Sequence, residues 1–114
     1  MLTVFFSPHS QSTDNATGRA SGHADVPLSA HGEQVAQQLG EQYQQKMLHT
    51  VFCSDLQRAH KTGQIAFSDI NIPIIRDARL REFDYGELTQ CPTEELALKT
   101  RINDPFPGGE SISM

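Results

Sequence analysis

Apolar and polar residues fall in blocks along this chain, and the period of the blocks changes from one to the next. An apolar and aromatic run over residues 2–6, including Val4, Phe5 and Phe6, predicts a buried strand that stops abruptly at Ser7-Pro8-His9-Ser10. The segment 10–28 holds Asn15, Gly18, Gly22 and Pro27 among small polar residues and predicts a loop. That length exceeds the usual connection in a compact domain, and long ordered loops are more often functional than decorative. Ser29 then caps a helix over about residues 30–47, where Val35, Ala36, Leu39, Tyr43 and Met47 form an apolar stripe directed at the sheet. Gln37, Gln38, Gln42, Gln44 and Gln45 make its solvated side.

The pattern then repeats in shorter form. Residues 50–53 are β-branched and aromatic, a strand that ends at Ser54-Asp55-Leu56-Gln57, with Ser54 and Gln57 in capping-box spacing. The helix that follows, about 55–67, is predicted to bury Leu56, Ala59, Gly63, Ala66 and Phe67. It carries Arg58 in its first turn, where unpaired backbone N–H groups also favour anions. Asn71 and Pro73 mark a turn into a third strand over 72–75. Strands alternating with helices in this order imply an α/β fold with a parallel sheet and right-handed crossovers. Beyond it, 79–86 reads as a charged loop, 93–99 as a short helix capped by Thr93, and 105–109 as a turn.

Composition narrows the function classes. A chain of 114 residues supports a single domain, and its 37% apolar content with no Trp makes a lean core. The net charge of -5, from 14 acidic and 9 basic residues, disfavours nonspecific binding to nucleic acid or an anionic membrane, which are held chiefly by Lys and Arg. Cys53 and Cys91 match no zinc spacing and read as reduced thiols of an intracellular, cytoplasmic protein; no metal or other cofactor is expected. No apolar run approaches the ~20 residues of a membrane span.

Ligands of open α/β sheets bind beyond the carboxyl ends of the strands. His9, directly after the first predicted strand, is therefore a candidate nucleophile, base or anion ligand, or else a satisfied loop histidine. Arg58 is a candidate anion contact or a helix-surface charge. Glu82 is a candidate acid or a partner for Arg79 or Arg81, and Asn15 a candidate ligand or an Asx-turn residue.

Taken together, HSQSTDNATGRASGHADVPLS, CSDLQRA, LREFDYGE and PFPGGES resemble the histidine phosphatase superfamily, which includes the cofactor-dependent phosphoglycerate mutases. The motifs keep the family's order and register: Ser12, Asn15 and Gly18-Arg19 after His9, then Ser54, Leu56, Arg58 and Ala59, then Leu80, Glu82 and Gly86. The resemblance implies a three-layer, mainly parallel sheet flanked by helices, phosphoglycerate mutase-like and apparently truncated. It implies that His9 attacks phosphorus to form a phosphohistidine, with Arg58, Asn15 and Ser12 holding the phosphoryl oxygens. Arg19, Ser21 and Gly22 are implied as further phosphate or substrate contacts. Glu82 is implied to protonate the leaving alcohol and then activate water. The implied ligand is a phosphorylated small molecule or a phosphate-like anion.

The departures from the family pattern bear on rate. Pro8 stands where the family has the Arg before its nucleophilic His, and Ser10 where it has Gly. Proline offers neither charge nor N–H, and losing one preorganised donor to developing charge costs ~2.7 to 4 kcal/mol. The family's second histidine has no counterpart before Met114, and His23, His31, His49 and His60 lie in no motif that replaces it. Phe83 and Asp84 stand where the mutase branch carries basic residues, so the phosphatase branch fits better, as does the short spacing from Gly86 to Pro107. The expectation is a weak phosphomonoesterase acting through His9, with a non-catalytic phospho-ligand-binding relative, or an inactive fragment of a longer phosphatase, as the alternatives. His9, Asn15, Arg58 and Glu82 should converge at the carboxyl-end rim of the sheet. A sheet with missing neighbours should also associate, as a symmetric dimer.

Overall fold

A computed structural model describes residues 1–82, 84–96 and 108–110. In chain order it contains α1 (Thr13–Ala16), α2 (Ala30–Tyr43), β1 (Val51–Cys53), α3 (Gln57–Ala66) and β2 (Ile74–Arg76), followed by 3-10 turns at Ala78–Leu80, Gly86–Leu88 and Thr93–Leu96. β1 and β2 pair in parallel, with Val51 beside Ile74, Phe52 beside Ile75 and Cys53 beside Arg76. The Asp77 amide extends the ladder by donating to the Cys53 carbonyl at 2.8 Å. The predicted α/β alternation and parallel sheet are therefore present.

The sheet has two unlike faces because side chains alternate along a strand. Val51 and Ile74 point toward Gly63 of α3, where a side chain on the glycine would come within ordinary contact of both. Their neighbours Phe52 and Ile75 turn the other way and are exposed. α2 packs against the outer side of α3 so closely that a Cβ on Gly40 would collide with the Ala66 carbonyl. Ala36, Leu56 and Phe67 are buried along this contact, while Met47, predicted to continue the α2 stripe, lies beyond the helix and is exposed.

The predicted strand over 2–6 does not form. A strand is stabilised by a ladder partner, and Leu2, Val4 and Phe6 are exposed with none among the described residues. Phe5 instead packs edge-on against Tyr43, which packs against Phe67, with the Lys46 ammonium 5.0 Å from the Phe5 ring. The loop 10–28 is more structured than predicted. Ser12 caps α1 and bridges to Leu28, and Arg19 bridges to Pro92.

Helix starts follow the prediction in one case and depart from it in another. Ser29 caps α2 through the Gly32 amide at 3.0 Å. Ser54 does not form the predicted capping box: its hydroxyl reaches only the Leu56 amide, and the Gln57 amide is taken by Asp25 Oδ1 at 2.7 Å. The Gln57 side chain donates back to the Asp25 carbonyl, so the cap comes from the long loop. Of the last two predicted elements, residues 97–99 and 105–107 lie outside the described residues, as does Phe83.

Candidate functional site

The segments that leave the carboxyl ends of β1 and β2 meet at one rim. Arg81, after β2, forms a two-pronged ion pair with Asp55, after β1, at 2.7 and 2.6 Å. The guanidinium holds the Asp55 carboxyl below its ordinary range. Arg79 pairs with Asp77 in the same way and lowers that carboxyl to about 2. Both arginines beside Glu82 in sequence are thus engaged by other carboxylates.

Arg58 sits under this rim, almost wholly buried on the face of α3 that also buries Thr62 and Gly63. Its two terminal nitrogens donate to the Gly22 carbonyl at 2.6 Å and the Ala24 carbonyl at 2.7 Å. Burial lowers its pKa, opposed first by the charge of Glu82 and then by Asp25, Asp14 and Tyr85. A buried guanidinium is tolerated only where such hydrogen bonds and countercharges replace water. Arg58 is therefore not a helix-surface charge, and Glu82 belongs to its electrostatic surroundings.

The loop 22–25 is fastened to α3 and to the Glu82 segment at five of its groups, among them the Asp25 carbonyl bonded to the Gln57 side chain. Besides the two carbonyls held by Arg58 and the Asp25 cap, the His23 ring bonds through Nε2 to the Glu82 carbonyl at 2.8 Å. Tyr85 is buried behind these residues with Ala20, Leu88 and Cys91 around it. Burial, then the neighbouring Glu82 charge, pushes its phenol up to about 12. Gly109 packs so tightly on the Asp84 carbonyl that a Cβ would collide with it, and Glu110 bonds the Asp84 amide at 2.8 Å, which docks the 108–110 turn beside the Glu82 segment.

His9 is exposed, and its Nδ1 lies 2.6 Å from the Ser10 carbonyl. A carbonyl oxygen only accepts, so Nδ1 carries the proton and a neutral ring keeps its lone pair on Nε2. The backbone at this point is tied to α3: the Ser10 amide donates to the Thr62 hydroxyl at 3.0 Å, which donates to the Arg58 carbonyl at 2.6 Å. The Ser10 hydroxyl, buried, donates to the Gly32 carbonyl at 2.6 Å.

The remaining predicted site residues, apart from Arg19, have partners within the loop. Ser12 is fully buried, and its hydroxyl accepts from the Asn15 amide while the Asn15 side chain accepts from the Ser12 amide, a reciprocal capping box. Ser21 donates to Asp14 Oδ2 at 2.8 Å, and the Arg19 guanidinium donates to the Gln90 carbonyl at 2.9 Å. Gly22, Arg58 and Glu82 are thus drawn into one cluster, His9 is joined to it through backbone, and Arg19 belongs to the seam with 90–92. His23, Asp25, Asp14 and Tyr85 join the cluster without having been singled out. Their only sequence signal is a place in the long loop or beside Glu82.

Comparison with known proteins identifies the family. The family model of the histidine phosphatase superfamily (branch 1) matches residues 4–113. The probable phosphoglycerate mutase GpmB of Klebsiella pneumoniae is 37% identical over 97 residues, 85% of this chain and 45% of its own. That of Salmonella choleraesuis is 34% identical over 122 aligned positions, covering 98% and 57%. The chain thus spans about half the length of the curated relatives it matches. Among solved structures, the alpha-ribazole phosphatase from Shigella flexneri superposes with a TM-score of 0.80 at 28% identity, covering 92% of this chain and 57% of the other. A mycobacterial glucosyl-3-phosphoglycerate phosphatase in complex with VO3 superposes at 0.79 and 27% identity, covering 90% and 56%.

Proposed function

Since the chain belongs to the histidine phosphatase superfamily, we propose that it carries the phosphomonoester-hydrolysing half-site of that family, working through His9 on a phosphorylated small molecule. His9 Nε2 attacks phosphorus, the bond to the ester oxygen breaks, and the Glu82 carboxyl gives its proton to the departing alcohol. The Glu82 carboxylate then takes a proton from water as that water's oxygen attacks phosphorus. The P–N bond breaks, and phosphate leaves with His9 restored. The observation that carries this reading is the bond from His9 Nδ1 to the Ser10 carbonyl, which leaves the nucleophilic lone pair on the exposed nitrogen.

Turnover on this reading is slow, because Pro8 supplies no donor to the phosphoryl oxygens. A second reading, no more than weak retention of phosphate-like anions without turnover, is favoured by the commitment of both terminal Arg58 nitrogens to loop carbonyls, which withdraws those donors from the phosphoryl oxygens. In that case vanadate or phosphate binds with a Kd of about 1 mM, near 4 kcal/mol, and nothing is hydrolysed. A cytoplasmic location belongs to the same proposal and is supported by the free thiols of Cys53 and Cys91.

Hydrolysis of p-nitrophenyl phosphate by the wild type, His9→Ala, Pro8→Arg and the Pro8→Arg/His9→Ala pair separates the readings. Restoring one donor should raise the rate about 10²-fold, and His9→Ala should remove both the basal rate and the gain. Ser10 is left in place because its buried hydroxyl holds the α2 backbone. Hydrolysis indifferent to His9→Ala would remove His9 from the mechanism.

A further inference from the structure

Loop 22–25 is bound to α3 in an unusual way: a single guanidinium, Arg58, holds the carbonyls on either side of His23, those of Gly22 and Ala24. With the Gly22–His23 and Ala24–Asp25 peptides both held by Arg58, and with the Asp25 side chain on the Gln57 amide, His23 sits in a short span pinned at each end. Its ring reaches a segment 59 residues away and meets the Glu82 carbonyl at 2.8 Å. The carbonyl can only accept, so Nε2 carries a proton. Protonating Nδ1 leaves that donor in place, so the link holds in either charge state of the ring.

We infer that His23 is a positioning residue, holding the Glu82 main chain at a fixed place relative to Arg58 so that the Glu82 carboxyl meets the leaving oxygen. The inference rests on the proposed phosphomonoesterase reading and gives a role to a residue that the family motifs leave unassigned. Two further anchors of this segment act beside Glu82, through Arg81 on Asp55 and through Asp84 on Glu110. His23 binds the peptide of Glu82 itself. Small displacements of a proton donor matter: misplacement by about 1 Å costs on the order of 10²-fold in rate.

A positioning role for the general acid has a signature that a merely structural role lacks. Departure of p-nitrophenolate needs little protonation, whereas departure of an alkoxide depends on it, so the loss should grow as the leaving group becomes poorer. His23→Ala should slow hydrolysis of an alkyl phosphate about tenfold more than that of p-nitrophenyl phosphate. His23→Gln, whose amide still donates, should recover most of that difference. In a Glu82→Gln background, His23→Ala should add no further leaving-group dependence. Equal losses on both esters, or an undiminished effect in the Glu82→Gln background, would overturn the inference. Wild-type hydrolysis of p-nitrophenyl phosphate that His9→Ala leaves unchanged would instead defeat the phosphomonoesterase reading, and the inference with it.

Discussion

Tyr85 shows how a single residue records the electrostatics of the rim. Its phenol is buried and lies in the field of Glu82, so ionisation is disfavoured and its pKa is pushed from an ordinary value near 10 to about 12, while Arg58 works weakly in the opposite direction. In the pH window between those values the unfolded chain has released a proton that the folded chain keeps. Folding is therefore fully supported below about pH 10 and loses stability as the pH rises toward 12, by on the order of 2 kcal/mol in all. Thermal melts monitored by circular dichroism should show Tm falling over this window in the wild type, with the fall reduced in Tyr85→Phe. A titration at the tyrosinate absorption band should resolve one phenol ionising late. Arg58 is the counterpart on the basic side: buried, lowered by desolvation and held by acidic neighbours. Its bonds to Gly22 and Ala24 give it a structural duty, so loss of activity in an Arg58 variant speaks to catalysis only if the variant still folds.

At the scale of elements, α3 depends on a cap from outside its own neighbourhood. Asp25 accepts from the Gln57 amide across 32 residues of sequence, where a carboxylate also meets the positive end of the helix. Asp25→Ala should cost about 1 kcal/mol and Ser54→Ala distinctly less, measured by urea unfolding; a larger loss at Ser54 would show that the local box carries the helix start. This contrast marks what the sequence made legible. Ser29 with the helix that follows it and the placement of Arg58 at a helix start rest on contacts within a few residues, and the strands at 51–53 and 74–76, which pair with each other across 23 residues, are announced by their β-branched runs. The Asp25 cap, the bond from His23 to Glu82 and the hold of Arg58 on loop carbonyls join residues 32 to 59 apart, which no local pattern encodes. The run at 2–6 failed as a predicted strand for the converse reason: apolar alternation supplies a face, but the ladder partner has to come from elsewhere. Gly22, Arg58 and Glu82 lie in one cluster, Asn15 is bound to Ser12 within the loop, and His23 and Tyr85 stand inside the same motif stretches with no role that the motifs assign.

The whole molecule is thinner and more open than its length requires. Its radius of gyration is 15.3 Å, against about 13 Å expected for a compact chain of this size, and its shortest extent is 19 Å. Among the described residues the sheet is two strands wide, with α3 on one face and an exposed Phe52–Ile75 pair on the other. A two-stranded sheet is marginal by itself, and a flat apolar pair between open strand edges is a ready surface for another chain. A second copy meeting this face across a two-fold axis would bury Phe52 and Ile75 of both chains, a gain of ~1.5–3 kcal/mol per side chain. That is of the same order as the ~4–15 kcal/mol cost of association, so the dimer should be weak and concentration-dependent. Light scattering over a concentration series should show the mass rising from one chain toward two. Phe52→Lys and Ile75→Lys should each hold the protein at the monomer mass with its helical circular dichroism retained, because neither side chain faces α3. A wild type that stays monomeric at millimolar concentration would mean that this apolar face is covered by something other than a second copy.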